Sequence, residues 1–256
     1  MTRRGWLAAI GCIASTALAQ SFEVATIKAA DPESRGRFIR MQTAHQFIAR
    51  NHSVKTLIAA AYNLNLQTIS GGPAWAESDR FDILARTPGD VRPTIDQQMT
   101  MLRDLLADRF KLTFHRLRKD FPIYELTVVE SGSKLKESEP DHSPEGPPAL
   151  AIVLAPESVS LPARSATTGE LASVLQRAAL DRPVIDHTGL TGTYEFRLEW
   201  LPDENQFGGL GMWKDVVSAK PDLFTAIQQQ LGLRLRATRG PVETLVIDHV
   251  ERPSDN

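Results

Sequence analysis

The chain has 256 residues, a formal net charge of −2 and 42% hydrophobic residues. Its length fits one large domain or two modest ones. Acidic and basic residues nearly balance, so the composition shows neither the basic excess of a nucleic-acid-binding protein nor a polybasic segment for anionic lipids. Cys12 is the only cysteine.

The first 20 residues predict a secretory signal peptide. A basic start at Arg3 and Arg4 is followed by an apolar run and by the small residues around Ala19. This pattern is typical of a cleaved leader, so we expect cleavage after Ala19 and export through the inner membrane to the periplasm or beyond. Cys12 would leave with the leader, and the mature chain would contain no disulfide, thiol nucleophile or cysteine ligand. An uncleaved N-terminal anchor remains the alternative.

The first half of the mature chain alternates between strand and helix patterns. Ser53 and Thr94 each precede an apolar stripe at helical spacing, so both are predicted helix N-caps. The predicted elements in chain order are a strand at 22–27, an extended stretch at 37–50, a helix at 53–63, strands at 67–70 and 80–86, a helix from Thr94, and strands at 110–117 and 123–129 joined around residues 118–122.

The second half repeats this order. Residues 49–57 align with 163–171, 108–114 with 229–235, and 122–128 with 241–247. Thr167 or Thr168 takes the capping position, and the later elements are strands at 184–185 and 194–200, a helix marked by Leu223, Ile227 and Leu231, and strands at 233–237 and 242–250 with a turn at Arg239-Gly240. We therefore predict an α+β fold of two tandem βαββαββ-type repeats, with mainly antiparallel sheets and helices on one face.

The predicted domain layout has four parts. They are a signal peptide at 1–19, a first α+β repeat at 20–130, a proline-rich linker at 131–150 and a second repeat at 151–256. Residues 131–148 are rich in proline and charge and are predicted to be a mobile loop. A second loop at 202–221 contains Trp213, which is expected to pack on the core unless the loop binds a ligand.

No motif for catalysis, metal or cofactor binding is evident in the sequence. The histidines are scattered without metal-peptidase spacing, and no glycine-flanked serine elbow, phosphate loop or dinucleotide fingerprint occurs. Ser131-Gly132-Ser133-Lys134 has the wrong order for a Ser-X-X-Lys nucleophile. We expect no catalytic residue, no metal and no cofactor.

Five residues are candidates for binding, namely Trp75, Arg80, Arg109, His187 and Trp213. Arg80 and Arg109 sit in two Asp-Arg-Phe tripeptides and could clamp anions, because guanidinium binds carboxylates bidentately. The alternative is that each arginine pairs with the adjacent aspartate to fix a turn while the phenylalanine enters the core. Trp75 could form an aromatic platform after Gly71-Gly72-Pro73, or it could simply pack against the turn.

Several segments match one protein family in the same order. They are residues 22–28, 71–75, 79–83, 108–112, 182–186, 188–192, 231–233 and 241–253. On these segments the chain resembles a family of secreted proteins of unknown function that is greatly expanded in acidobacterial soil bacteria. Related domains occur attached to membrane zinc peptidases that look like β-lactam sensors, which implies a role in envelope sensing or binding. Each half also resembles, more weakly, the short N-terminal domain of secretins and TonB-dependent receptors, which docks protein partners.

Two functions fit the sequence. The first is a non-catalytic periplasmic or secreted binding module with a protein or peptide partner from the envelope, bound at sheet edges or in a groove between the repeats. The alternative is a hydrolase of envelope or extracellular polymer, with carboxylates brought together by folding. A carboxylate pair of perturbed pKa in a cleft would favour the hydrolase. Neither hypothesis includes a nucleic-acid partner or a membrane span in the mature chain.

Overall fold

The structure is a computed structural model that describes residues 21–34, 36–140, 149–208 and 212–254. It contains three four-stranded sheets with mostly antiparallel pairing and a few helices, so the predicted α+β class is confirmed. The predicted signal peptide lies outside the described residues. Within the described residues, no helix is both long enough and apolar enough to cross a membrane.

The first half builds one complete outer sheet. Strands β1, β5, β3 and β2 lie side by side in that order, and every neighbouring pair is antiparallel. The elements of this half are β1 (Val24–Ala29), β2 (Phe38–Met41), β3 (Gln46–His52), α1 (Val54–Ala61), a 3₁₀ turn (Leu66–Thr68), β4 (Ile69–Gly71), α2 (Trp75–Ser78), β5 (Phe81–Arg86), α3 (Ile95–Arg109) and β6 (Thr113–Val128).

The second half builds the other outer sheet. Its strands lie in the order β7-β11-β9-β8, again with antiparallel neighbours. Its elements are β7 (Lys136–Ser138), β8 (Val153–Ala155), β9 (Ser158–Ala166), α4 (Thr168–Ala178), β10 (Val184–Asp186), β11 (Thr193–Trp200), a 3₁₀ turn (Gln206–Gly208), α5 (Leu223–Ala226), a π-helical turn (Ile227–Leu231) and β12 (Leu233–His249).

The central sheet joins the two halves. The long strands β6 and β12 pair antiparallel along almost their whole length, and the strand order is β10-β6-β12-β4. Here β4 from the first half runs parallel to β12, and β10 from the second half runs parallel to β6. Each half therefore supplies a short strand that pairs with the long strand of the other half.

This arrangement corrects two predicted hairpins. Residues 118–122 and Arg239-Gly240 were expected to be turns between shorter strands, but each lies inside a continuous strand. Phe121 lies opposite Gly240 and Pro122 opposite Arg239. The turn interpretation failed because each strand pairs with a segment far away in the sequence and not with its neighbour. Pro122 is tolerated because β10 pairs with β6 only from Tyr124 onward, so the missing N–H lies where that edge is open.

The protein has two hydrophobic cores, one in each half. The first is built around Phe47, Leu57 and Phe110, and it includes Leu245 and Ile247 from β12. The second is built around Leu171 and Trp200, and it includes Leu126 from β6. Because each long strand contributes to the core of the other half, burial as well as hydrogen bonding ties the halves together.

The helix starts follow the sequence closely. Ser53, Thr94 and Thr167 are N-caps, and each side chain accepts a hydrogen bond from a backbone N–H in the first turn. Gln97 and Glu170 complete capping boxes by accepting the N–H of Thr94 and Thr167, respectively. The predicted caps at Ser53 and Thr94 are confirmed, and the second-half cap is Thr167.

Polar contacts between the segment that follows α1 and the C-terminal part of α4 close the junction on the helical side. Asn65 Nδ2 donates to Gln176 O at 2.8 Å and to Leu180 O at 3.3 Å. Gln176 Nε2 donates to Asn63 O at 2.9 Å. Asn65 is only 4% exposed, so its two bonds satisfy an amide that water does not reach.

The predicted linker is partly ordered. Lys136–Ser138 forms β7 and pairs antiparallel with β11. Just before it, Lys134 N donates to Leu231 O at 2.9 Å. Residues 141–148 of the predicted linker lie outside the described residues.

Candidate functional site

A groove lies at the middle of the central strand pair. It occupies about 850 Å³ beside the residues that lead into β4 and β10. Its walls are Gln67, Phe121, Pro122, Asp181, Arg182, Ala237, Thr238 and Arg239. Both halves contribute to this lining, so the groove exists only because β6 and β12 pair.

Two arginines border the groove. Arg182 precedes β10; its Nε donates to Asp181 Oδ2 at 3.2 Å, and its guanidinium lies 5.2 Å from the ring centre of Tyr124. Arg239 on β12 donates from Nε to Asp120 Oδ2 at 2.7 Å. Both side chains are partly exposed. A guanidinium has five N–H donors, so each arginine can bind another acceptor beside its aspartate.

The remaining lining gives the groove an apolar component. Phe121, Pro122 and Ala237 contribute carbon surface, and Thr238 and Gln67 add neutral polar groups. Burial, together with the charge of Asp181, raises the pKa of the neighbouring Tyr124. The combination of two guanidinium groups with apolar walls suits an extended ligand that carries a carboxylate.

A surface ion cluster lies further along the same strand. Glu125 Oε2 accepts from Arg236 Nη2 at 2.6 Å, and His187 Nδ1 is 3.4 Å from Glu125 Oε1. The hydrogen bond from Arg236, together with its charge, lowers the pKa of Glu125. The cluster links β10, β6 and β12 at the surface.

The five predicted candidates all lie outside the groove lining. Trp75 is partly buried on the first core, where Arg252 lies 4.8 Å from its ring centre. Trp213 is only 6% exposed in the second core and donates from Nε1 to Ala155 O at 2.9 Å. His187 belongs to the ion cluster with Glu125. Trp75 and Trp213 therefore both pack against a hydrophobic core.

The two Asp-Arg-Phe tripeptides place their phenylalanines in the first core. Phe81 and Phe110 are buried and meet edge to face at 5.4 Å, as the packing interpretation predicted. The expected pairing within the first tripeptide is wrong, because Asp79 pairs with Arg252 and Arg80 is exposed. In the second, Arg109 Nη1 donates to Ala25 O at 3.1 Å.

The glycine turn after β4 has a steric cause. Gly71 has φ of +77°, and a Cβ there would lie 2.6 Å from Ile247 O on β12. Only glycine allows β4 to approach β12 this closely. The turn therefore supports the central sheet and needs no ligand to explain it.

Arg182 and Arg239 were not candidates at the sequence level. Arg182 appeared only within a matched family segment, and Arg239 was assigned to a turn. No local pattern connects them, since it is the β6–β12 register that places Arg239 beside Asp120, 119 residues away.

Within the described residues, no group of three or more His, Cys, Asp or Glu side chains is arranged to hold a metal ion. No curated protein and no solved structure matches the chain significantly. The sequence model of one family, described as "Protein of unknown function (DUF3738)", matches residues 55–250. These residues run from the first turn of α1 through β12 and include both arginines of the groove. The chain belongs to this family of proteins of unknown function.

Proposed function

We propose that this protein is an exported, non-catalytic binding module of the cell envelope, built from two copies of one α+β unit. The groove between the two halves binds an acidic segment of a protein or peptide partner. The observation that carries this proposal is the placement of Arg182 and Arg239 in one groove that both halves line.

The outer sheets support the two-copy architecture. The orders β1-β5-β3-β2 and β7-β11-β9-β8 are the same when each strand is counted by its place in its own half. β3 and β9 also share a bulge just before a helix, at which Asn51 and Ser165 have φ of 56° and 52°. A duplicated unit accounts for both the topology and this local irregularity.

The open edges of the central strands extend the groove. Within the described residues, β10 pairs with β6 only at Tyr124–Leu126, and no second strand covers residues 113–120 on that side. A peptide that leaves the groove along this edge would find backbone donors and acceptors. Arg118 and Lys119 lie on this stretch. Their positive charges attract acidic segments and disfavour pairing with the same edge of a second copy.

The carboxyl groups with altered pKa offer no support for the hydrolase alternative. Glu77, Glu125, Glu199 and Asp222 have lowered pKa values, so these four are ionised at neutral pH and are not held protonated as general acids. None of the four lines the groove. Support for binding comes from the two arginines in the lining of the groove.

A direct test uses a fluorescent peptide of alternating Glu and Val residues and the chain from residue 20 onward. We expect salt-sensitive binding that is lost when the Glu residues are replaced by Gln. Each charge-assisted hydrogen bond contributes about 1.5–3 kcal/mol, so Arg182→Gln and Arg239→Gln should each weaken binding by about tenfold or more. Arg92→Gln, an exposed arginine in the loop before α3, is the matched control and should leave affinity unchanged.

The natural partner is sought by pull-down from envelope extract. The wild-type chain and Arg92→Gln should retain the same protein, and the Arg182→Gln/Arg239→Gln double variant should lose it. Equal retention by all three proteins would contradict the groove as the docking site. Equal affinity for the Glu and Gln peptides would contradict recognition of acidic segments.

A further inference from the structure

The second outer sheet has an apolar edge. Residues 149–155, here called the apolar edge segment, read Ala-Leu-Ala-Ile-Val-Leu-Ala and lie beside β9. Leu154 faces Val159, and the isolated bridge between Leu150 and Ala163 continues the same register. All seven residues of the segment are apolar, and yet Ile152, Val153 and Leu154 are 39%, 49% and 42% exposed.

Among the described residues, no strand pairs with the outer side of this segment, so its backbone can accept another strand. Ala151 N donates to Pro162 O, and Ala149 O accepts from Arg164 N, so these groups point toward β9. Backbone groups alternate in direction along an antiparallel strand. The N–H and C=O groups of Leu150, Ile152 and Leu154 consequently point away from β9, along the open edge of the sheet.

The side chains on this edge continue the core. Leu150 and Leu154 lie on the same face as Val159, which is fully buried in the second core. Trp213 binds Ala155 O at the end of the segment, and the adjacent Met212 is 49% exposed. A strand added to this edge would cover Ile152 and Leu154 and extend the buried row beyond β8.

Charge distinguishes this edge from the other edges of the outer sheets. β1 carries Lys28, β2 carries Arg40, and β7 carries Lys136 and Glu137, whereas the apolar edge segment carries no charge and no proline. Charged residues and proline are the usual protection of an edge against pairing. Two copies of a charged edge repel each other, but two copies of residues 149–155 bring no like charges together.

We propose that two copies of this chain associate through the apolar edge segment. The two segments pair antiparallel about a two-fold axis at Ile152, so that Ile152 faces Ile152 of the second copy and Leu150 faces Leu154. Leu150, Ile152 and Leu154 then exchange backbone hydrogen bonds with the other copy, and the two outer sheets become one continuous sheet. An isologous contact of this kind uses the edge of both copies and closes at a dimer. The proposal is independent of ligand binding in the groove.

Sedimentation velocity over a range of protein concentrations tests the dimer. We expect the chain from residue 20 onward to show a reversible monomer–dimer equilibrium with little dependence on salt, because the interface has no charge. Ile152→Lys places two ammonium groups opposite each other and should weaken dimerisation by about 100-fold or more. Val24→Lys, at a more exposed position on the edge strand of the first sheet, should leave the dimer unchanged.

A second variant separates loss of the dimer from loss of the fold. Ile152→Pro removes an N–H that points away from β9, so no hydrogen bond between described residues is lost. It should unfold at nearly the same urea concentration as the wild-type chain and yet remain monomeric. A dimer that survives both Ile152→Lys and Ile152→Pro, a wild-type chain that stays monomeric at about 100 µM, or growth beyond a dimer would each overturn the proposal.

The register has its own test. Directly opposed residues in a hydrogen-bonded antiparallel pair have Cα atoms about 5.5 Å apart, which is within the range that a disulfide spans. Because Cys12 lies in the predicted leader, a chain that starts at residue 20 has no other cysteine. Ile152→Cys should form a disulfide-linked dimer on mild oxidation, and Val24→Cys should not. Equal crosslinking of the two variants would overturn the register.

Discussion

Lys111 and Gly232 hold the same left-handed backbone conformation, with φ of 52° and 66°, where a helix ends and a long central strand begins. The steric demands at the two positions differ. A Cβ on Gly232 would lie 2.5 Å from Gly132 O and 2.9 Å from Lys134 N, whereas Lys111 already carries a side chain in the same conformation.

This difference predicts opposite outcomes for two substitutions. Gly232→Ala should lower the free energy of unfolding by about 2 kcal/mol or more, because positive φ and a backbone clash add together. Lys111→Gly should raise the free energy of unfolding by less than about 1 kcal/mol. Glycine relieves the strain of the positive φ, but most of this gain is offset because glycine also increases the entropy of the unfolded chain. Urea denaturation measures both, and similar losses in the two variants would contradict the steric explanation.

His52 should make the protein less stable in acid. Burial, with a smaller contribution from Arg37, lowers the pKa of His52 to about 3. In the unfolded chain the pKa is near 6.5, so the unfolded state binds a proton first as the pH falls. The stability due to neutral His52 is therefore complete above pH 6.5 and is lost progressively down to pH 3, by about 2 kcal/mol at pH 5.

The variant His52→Asn isolates this effect from other titrating groups. His52 Nδ1 lies 3.1 Å from Thr56 Oγ1, a contact that an asparagine amide can partly replace. The difference in unfolding free energy between wild type and His52→Asn should shrink as the pH falls from 7.5 to 5. A difference that is independent of pH would show that His52 has an ordinary pKa in the folded protein.

Asn65 should be important for the junction of the halves. Its side chain donates to Gln176 O and Leu180 O while Oδ1 accepts from Gln67 N at 3.0 Å. Asn65→Asp replaces the donor with an oxygen that faces two carbonyl groups in a buried site. We expect it to cost about 3 kcal/mol in urea denaturation at neutral pH.

Asn63 provides the matched control for this junction. It bonds Ser173 Oγ at 2.9 Å, but at an exposed position. Asn63→Asp should cost less than about 1 kcal/mol, because water can replace the bond. Equal costs at the two positions would mean that the buried bonds of Asn65 have no special role.

Trp213 should be a stability residue. Trp213→Ala should lower the free energy of unfolding by about 3 kcal/mol, and Trp213→Phe, which loses mainly the hydrogen bond to Ala155 O, by about 1 kcal/mol. Both folded variants should bind the acidic peptide as tightly as wild type. Weaker peptide binding by Trp213→Phe at unchanged stability would instead assign Trp213 to a ligand site.

Local signals in the sequence located the helices well. Ser53, Thr94 and Thr167 cap helices because an N-cap depends on a few neighbouring residues and on an apolar stripe that follows. The same local logic misled at residues 118–122, where proline and charge suggested a turn. The partner of that stretch is Glu243 to Arg239 on β12, and nothing near Pro122 in the sequence indicates it.

The groove was harder to predict than the fold class. Arg182 and Arg239 line one groove only after β10 has paired with β6 and β6 with β12. The candidate tryptophans stood out by residue type, and the structure uses both for packing. A motif can be found from sequence when its members are neighbours, but a site made by long-range strand register cannot.

The exchange of β4 and β10 between the halves bears on when the protein can fold. Until Leu233–His249 has been synthesised, β6 lacks its antiparallel partner and β4 has no strand to join. Contacts between segments this distant in sequence form slowly, because a long loop must close before they are gained. A growing chain therefore cannot complete its central sheet until its last long strand appears, although the first outer sheet has all of its strands by then.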